Sequence, residues 1–143
     1  MQEKSDTPAA ALWYAAHAGE AATVRRLLDD GVDANVWDKY GRCALTFAIN
    51  AGHVELAKFL IEFGVWVDPF EDDSVFMTPL MCAASRGDVC LVEYLLDHGA
   101  DPLKRGGPSF VTAEYYARVD AQNGYLAAIL RLAEDRQRDS RGR

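Results

Sequence analysis

No stretch of this sequence approaches the roughly 18 consecutive apolar residues that suggest a membrane span. The opening MQEKSDTPAA is polar, without the apolar run of a signal peptide. Neither a membrane partner nor secretion is expected. Cysteine is scarce: there are three, an odd number without metal-type spacing. Cys82, Cys90 and His98 are spaced by eight, unlike the paired cysteines of zinc sites. Reduced thiols in a cytoplasmic or nuclear protein follow, with no metal site. Basic residues are outnumbered, 15 Lys and Arg against 22 Asp and Glu, for a net charge of −7. A surface that tracks phosphates needs clustered Lys and Arg, so general nucleic-acid binding is not expected. Gly106-Gly107-Pro108-Ser109 has no following Lys-Ser or Lys-Thr and is not a phosphate-binding loop. Catalysis also lacks its parts, because no nucleophile, base and orienting group converge. The expectation is no enzyme, no cofactor and no small-molecule substrate.

What the chain does contain is repetition. Of its 143 residues, 50% are apolar, enough for a sizeable core. Residues 78–101 read TPLMCAASRGDVCLVEYLLDHGAD. Thr78-Pro79 is a helix start, and Gly87 and Gly99 mark two helix ends. Two short helices cannot bury their apolar faces alone, so the unit must stack on copies of itself. The copies are present. Leu12, Leu45 and Leu80 recur at spacings of 33 and 35, as do Gly19, Gly52 and Gly87, and Gly31, Gly64 and Gly99. Between the glycines lie TVRRLL, LAKFLI and LVEYLL, one apolar stripe written three times. Helices are expected near 9–17, 21–30, 44–51, 54–63, 79–86, 89–98, 112–121 and 125–134.

Thr78-Pro79-Leu80 with Ala83-Ala84, Gly87, Leu95-Leu96 and Gly99-Ala100-Asp101 resembles the ankyrin repeat. Similar matches lie in residues 15–19 with 31–35, and in residues 52–56 with Gly64. The resemblance covers about residues 9–134. It implies an all-α solenoid of helix-turn-helix units linked by β-hairpin-like turns. The expected organisation is a disordered stretch 1–7, repeats at about 8–34, 35–67, 68–102 and 103–135, and a disordered basic tail 136–143. The first unit, with Pro8-Ala9-Ala10-Ala11, is read as lacking the Thr-Pro start. The fourth, with Glu114 in the leucine place, is degenerate. Both would act as caps.

Ankyrin proteins usually bind other proteins with the turn tips and the groove lined by the first helices. Carried onto this chain, the resemblance points to Trp13 and His17 in the first repeat. It adds Lys39, Tyr40, Arg42 and Asn50 in the second, and Met77, Met81, Ser85 and Arg86 in the third. Trp13, Thr46, Met81 and Tyr115 stand where the family signature usually has histidine. Packing between repeats and a partner-binding strip are both open for them. His53 is expected to hold a turn by hydrogen bonds.

The turn at 68–77 is longer than its neighbour, and it sets Phe70 and Phe76 beside the acidic Glu71-Asp72-Asp73. Phe70, Asp72 and Phe76 are therefore candidates for gripping a partner that carries a basic patch. Trp37 and Trp66 are expected to cover turn bases. Asn35 is expected to bond the turn backbone, and it resembles the Asn that asparaginyl hydroxylases modify in some ankyrin proteins. The whole implies a protein-binding scaffold or adaptor, monomeric when alone. The alternative is a regulatory subunit that occludes an enzyme or transcription-factor surface.

Overall fold

The computed structural model describes residues 7–70 and 74–142 of the chain. The described residues contain eight helices and no extended strand. They are α1 (Pro8–Ala18), α2 (Ala21–Asp29), α3 (Ala44–Asn50) and α4 (Val54–Phe63), then α5 (Pro79–Arg86), α6 (Val89–Asp97), α7 (Ala113–Val119) and α8 (Gly124–Arg141). The chain divides into two compact units, Met1–Trp66 and Val67–Arg143.

In the first unit α1 packs on α2 and α3, and α3 packs on α4. The start of α1 corrects the sequence reading. Thr7 and Pro8 form a complete helix start, with the Thr7 hydroxyl accepting from the Ala10 amide at 3.1 Å. α1 ends at Gly19, whose φ of 76° few side chains tolerate. α3 starts differently. Cys43 occupies the cap, and the Thr46 hydroxyl turns back to it, accepting from its amide at 2.8 Å and donating to its carbonyl at 3.0 Å. The apolar stripe of each helix then faces inward: Leu12, Val24, Leu45, Ile49 and Leu60 are fully buried. Each contributes roughly 1.5–3 kcal/mol by leaving water.

The second unit repeats this plan, with α5 packed on α6 and α7, and α7 on α8. Thr78 caps α5, accepting from the Met81 amide at 3.2 Å. Asp88 caps α6 and Asn123 caps α8, each accepting from the amide three residues on. Leu80, Met81, Leu91, Val92, Leu95, Leu126 and Leu130 fill the core. The turn at 106–111 is hairpin-like, with an antiparallel bridge between Gly106 and Val111, and Gly106 also forms a single parallel bridge with Ser74. In the degenerate last repeat Tyr116 is buried, and its hydroxyl donates to the Gly106 carbonyl at 3.0 Å. Glu114, in the leucine place, instead takes Arg131 at 2.8 Å and Arg118 at 3.3 Å.

The described part of the C-terminal tail is not disordered. α8 runs to Arg141, seven residues past the expected end at 134. The physical reason is a set of side-chain pairs, two at helical spacing and one reaching outside the helix. Arg138 bonds to Glu134 and Asp135, each at 3.3 Å, and Arg141 reaches back to Asp101.

Candidate functional site

The first unit contains a cleft of about 780 Å³ between α1, the turn at 36–42 and α3. Its position follows from local structure. Asp38 builds the turn: its Oδ1 accepts from the amides of Tyr40 and Arg42, both at 2.9 Å, and Gly41 supplies a φ of 71°. The Arg42 side chain closes the arrangement, with Nε at 2.9 Å and Nη2 at 2.8 Å from Asp38 Oδ2. Burial alone would push the Asp38 carboxyl up, but the Arg42 and Tyr40 amides and the Arg42 guanidinium outweigh it. Its pKa is held below the ordinary carboxylate value.

The helices supply the floor. Trp13 stacks on Phe47 with centroids 6.3 Å apart and planes at 28°, and His17 meets the same ring edge-on at 6.2 Å. Trp13 Nε1 donates to the Val36 carbonyl at 3.0 Å, fixing the indole against the base of the turn. Arg42 lies over two rings, 5.0 Å from the Tyr40 centroid and 4.8 Å from that of Phe47. Lys39 Nζ sits 5.0 Å from the Tyr40 centroid.

Five residues singled out from the sequence thus converge: Trp13, His17, Lys39, Tyr40 and Arg42. Tyr14, Trp37, Asp38 and Phe47 belong to the same cleft and were missed as site residues. Asp38 was findable, because it opens the Asp-Lys-Tyr-Gly turn that carries Lys39 and Tyr40. Tyr14 carried no signal, because the repeat signature says nothing of its position.

The other candidates lie elsewhere. Asn50 is exposed at the end of α3. In the second unit Phe70 and Phe76 pack on each other, centroids 5.2 Å apart, and both are half-buried. Asp72, with Glu71 and Asp73, lies outside the described residues. Met77 is half-buried and Arg86 exposed. Ser85 Oγ donates to Asp120 Oδ2 at 3.0 Å. Met81 requires a correction. It is 1% exposed, and its sulfur accepts from the Thr78 amide at 3.4 Å, so it presents no surface to a partner. Thr46 is likewise buried. Trp37 and Trp66, expected to cover turn bases, are 40% and 56% exposed.

The structural bonds expected of Asn35 and His53 are present. Asn35 Oδ1 accepts from the Trp66 amide at 2.8 Å, and His53 Nε2 lies 2.9 Å from the His17 carbonyl oxygen. Asp68 makes a similar turn link in the second unit, accepting from the Asp101 amide at 2.7 Å. Among the described residues, no group of three His, Cys, Asp or Glu is placed to hold a metal ion, and no helix is long and apolar enough to cross a membrane.

Helix pairs packed on one another within each unit and joined by turns, with an aromatic cleft in the first unit, define a helical repeat protein. Family models described as "Ankyrin repeats (3 copies)" and "Ankyrin repeat" match residues 2–71 and 76–106, and the chain belongs to the ankyrin-repeat family. Repeats of this family are generally protein–protein interaction modules. The human ankyrin repeat domain-containing protein 63 is 37% identical over 53% of this chain and 20% of its own length. The putative E3 ubiquitin-protein ligase XBAT35 of Arabidopsis thaliana is 38% identical over 59% of this chain and 19% of its own. A Dirofilaria immitis L-asparaginase is 32% identical over 82% of this chain and 20% of its own. The chain thus spans about a fifth of the length of these curated relatives.

Proposed function

We propose that this chain is a non-catalytic interaction module, and that it grips a partner protein through the cleft between α1 and the turn at 36–42. The observation that carries the reading is the convergence of Trp13, His17, Lys39, Tyr40 and Arg42 on one concavity. Tyr, Trp and Arg are the residue types that dominate binding energy at protein interfaces. Tyr40 is 60% exposed, although a large ring is normally drawn inward. The surroundings are already rigid: the turn is bonded to itself through Asp38 and to α1 through Trp13. Little conformational entropy is therefore lost on association.

The test is capture of partners by the full chain and by a variant with His17→Ala and Tyr40→Ala. Both side chains are exposed, Tyr40 at 60%, and the His53 bond reaches the main-chain oxygen of His17 rather than its ring. Helicity by circular dichroism should be unchanged while captured partners disappear. An unchanged set of partners from the folded variant would remove the cleft from the account. The same material separates a scaffold from an occluding subunit, because only the latter changes the activity of the partner it holds.

A further inference from the structure

We infer that the cleft takes an extended peptide segment in which an apolar side chain stands within two residues of a carboxylate. The inference rests on the reading of the cleft as the partner site and adds the chemistry of the occupant. The floor calls for an apolar anchor. The Trp13 and Phe47 rings make that floor apolar, and the one polar group of the indole is already given to the Val36 carbonyl. A buried aliphatic or aromatic side chain is the group such a floor rewards.

The rim calls for an anion. Asp38 is the one carboxylate lining the cleft, and both its oxygens are engaged by Tyr40 and Arg42. Its charge is neutralised in place and offers little to an incoming cation. Arg42 commits Nε and Nη2 to that carboxylate, which leaves the donors of Nη1, and its side chain remains 46% exposed. Lys39 keeps its ammonium donors while its charge rests against the Tyr40 ring. Counting Asp38, Lys39 and Arg42, the cleft carries a formal +1 on a chain of −7. A cationic occupant would have to displace Arg42 and Lys39 from the ring faces they hold. An anionic one completes them.

Geometry sets the spacing. The guanidinium carbon of Arg42 lies 4.8 Å from the centre of the Phe47 ring, so cation and floor are immediate neighbours. An extended chain advances about 3.3 Å per residue. A side chain on the floor and a carboxylate at the rim are therefore one or two residues apart.

A library of short random peptides is selected on the full chain, and peptides that also bind the Tyr40→Ala chain are discarded. The retained sequences should pair Leu, Ile, Phe or Trp with Asp or Glu within two positions. The strongest of them, synthesised and titrated, should bind Lys39→Glu roughly tenfold more weakly and Lys39→Gln by a smaller factor. Its affinity should fall as salt is raised. Retained peptides that are neutral or basic, or equal affinity for the three chains, would overturn the inference and leave the cleft standing as a partner site. Selection that retains no peptide dependent on Tyr40 also overturns it. Failure of the parent reading shows separately, as partners captured unchanged by the His17→Ala, Tyr40→Ala chain.

Discussion

The imidazole of His53 meets the main-chain carbonyl of His17 at 2.9 Å, across 36 residues of sequence. The contact ties the start of α4 to the end of α1, and it works only because Gly19 stands aside. A Cβ on Gly19 would lie 2.7 Å from Cε1 of the His53 ring, and Gly19 holds a φ of 76°. Gly19→Ala should therefore destabilise by roughly 2 kcal/mol or more, combining left-handed backbone strain with the clash. His53→Ala should cost about 1 kcal/mol for the lost bond. In the double variant the clash is gone, so the two effects should fall short of adding. Urea denaturation of the four chains reads this, and additivity within about 0.5 kcal/mol would show that ring and glycine do not meet.

The start of α3 yields a second prediction. Thr46 is 2% exposed and its hydroxyl serves both main-chain groups of Cys43. Thr46→Val keeps the volume but leaves the Cys43 amide unpaired, a cost of about 1–3 kcal/mol. Thr46→Ser retains the bonds and should be the milder change. Hydrogen exchange at the Cys43 amide should accelerate in the valine chain alone. Equal exchange in both would mean that the hydroxyl does not hold that amide.

Met81 extends the same logic. As a fully buried side chain, its replacement by Ala should cost about 2–5 kcal/mol. Below the melting temperature, partner capture should be unaltered. Loss of capture by a still-folded Met81→Ala chain would return this residue to the interface.

These residues show where the sequence was legible. The repeat period carries the helix pairs, because glycines at positive φ and leucines at core positions are each demanded by local physics. Thr46, Met81 and Trp13 stand at equivalent repeat positions, yet the first two are buried and only Trp13 opens on the cleft. A short hydroxyl and a flexible thioether can turn back to their own helix start, which an indole is too large to do. Tyr14 and Phe47 join the cleft through three-dimensional adjacency, which no spacing rule encodes. The helical tail was hidden for another reason: its arginines read as a solvated charged end until Glu134 and Asp101 are seen beside them.

That tail can be tested through Glu134, which is 6% exposed, with Oε1 buried and unbonded and Oε2 facing Arg138. Removing the cation leaves a carboxylate in a place that water reaches poorly. Arg138→Ala should therefore cost more than the 0–1 kcal/mol of an ordinary surface pair. Combined with Glu134→Gln, most of that loss should be recovered. A thermal melt of the single and double variants distinguishes this from an idle surface pair, for which Arg138→Ala alone would leave the melting temperature where it was.

Asp38 and Asp68 make opposite demands on pH. For Asp38, hydrogen bonds and Arg42 outweigh burial, so its folded pKa is depressed. Its contribution is complete above about pH 4 and is lost as pH falls through the lowered value. For Asp68, burial is the larger influence, with the Asp101 charge adding to it. The Asp101 amide and the Lys104 charge oppose it without prevailing, and the folded pKa is raised. Between its ordinary and raised values the folded chain binds more protons than the unfolded one, so stability falls as pH rises through that window. Asp68→Asn removes this titration. Relative to the parent, the Asn chain should gain melting temperature as pH is raised from about 4 towards neutrality. The gain should level off once Asp68 is fully ionised. A gap between the two chains that stays constant across that range would mean that burial does not penalise the Asp68 charge. Asp38→Asn should show the reverse, lowering stability near neutrality and losing its effect as the solution is made acid.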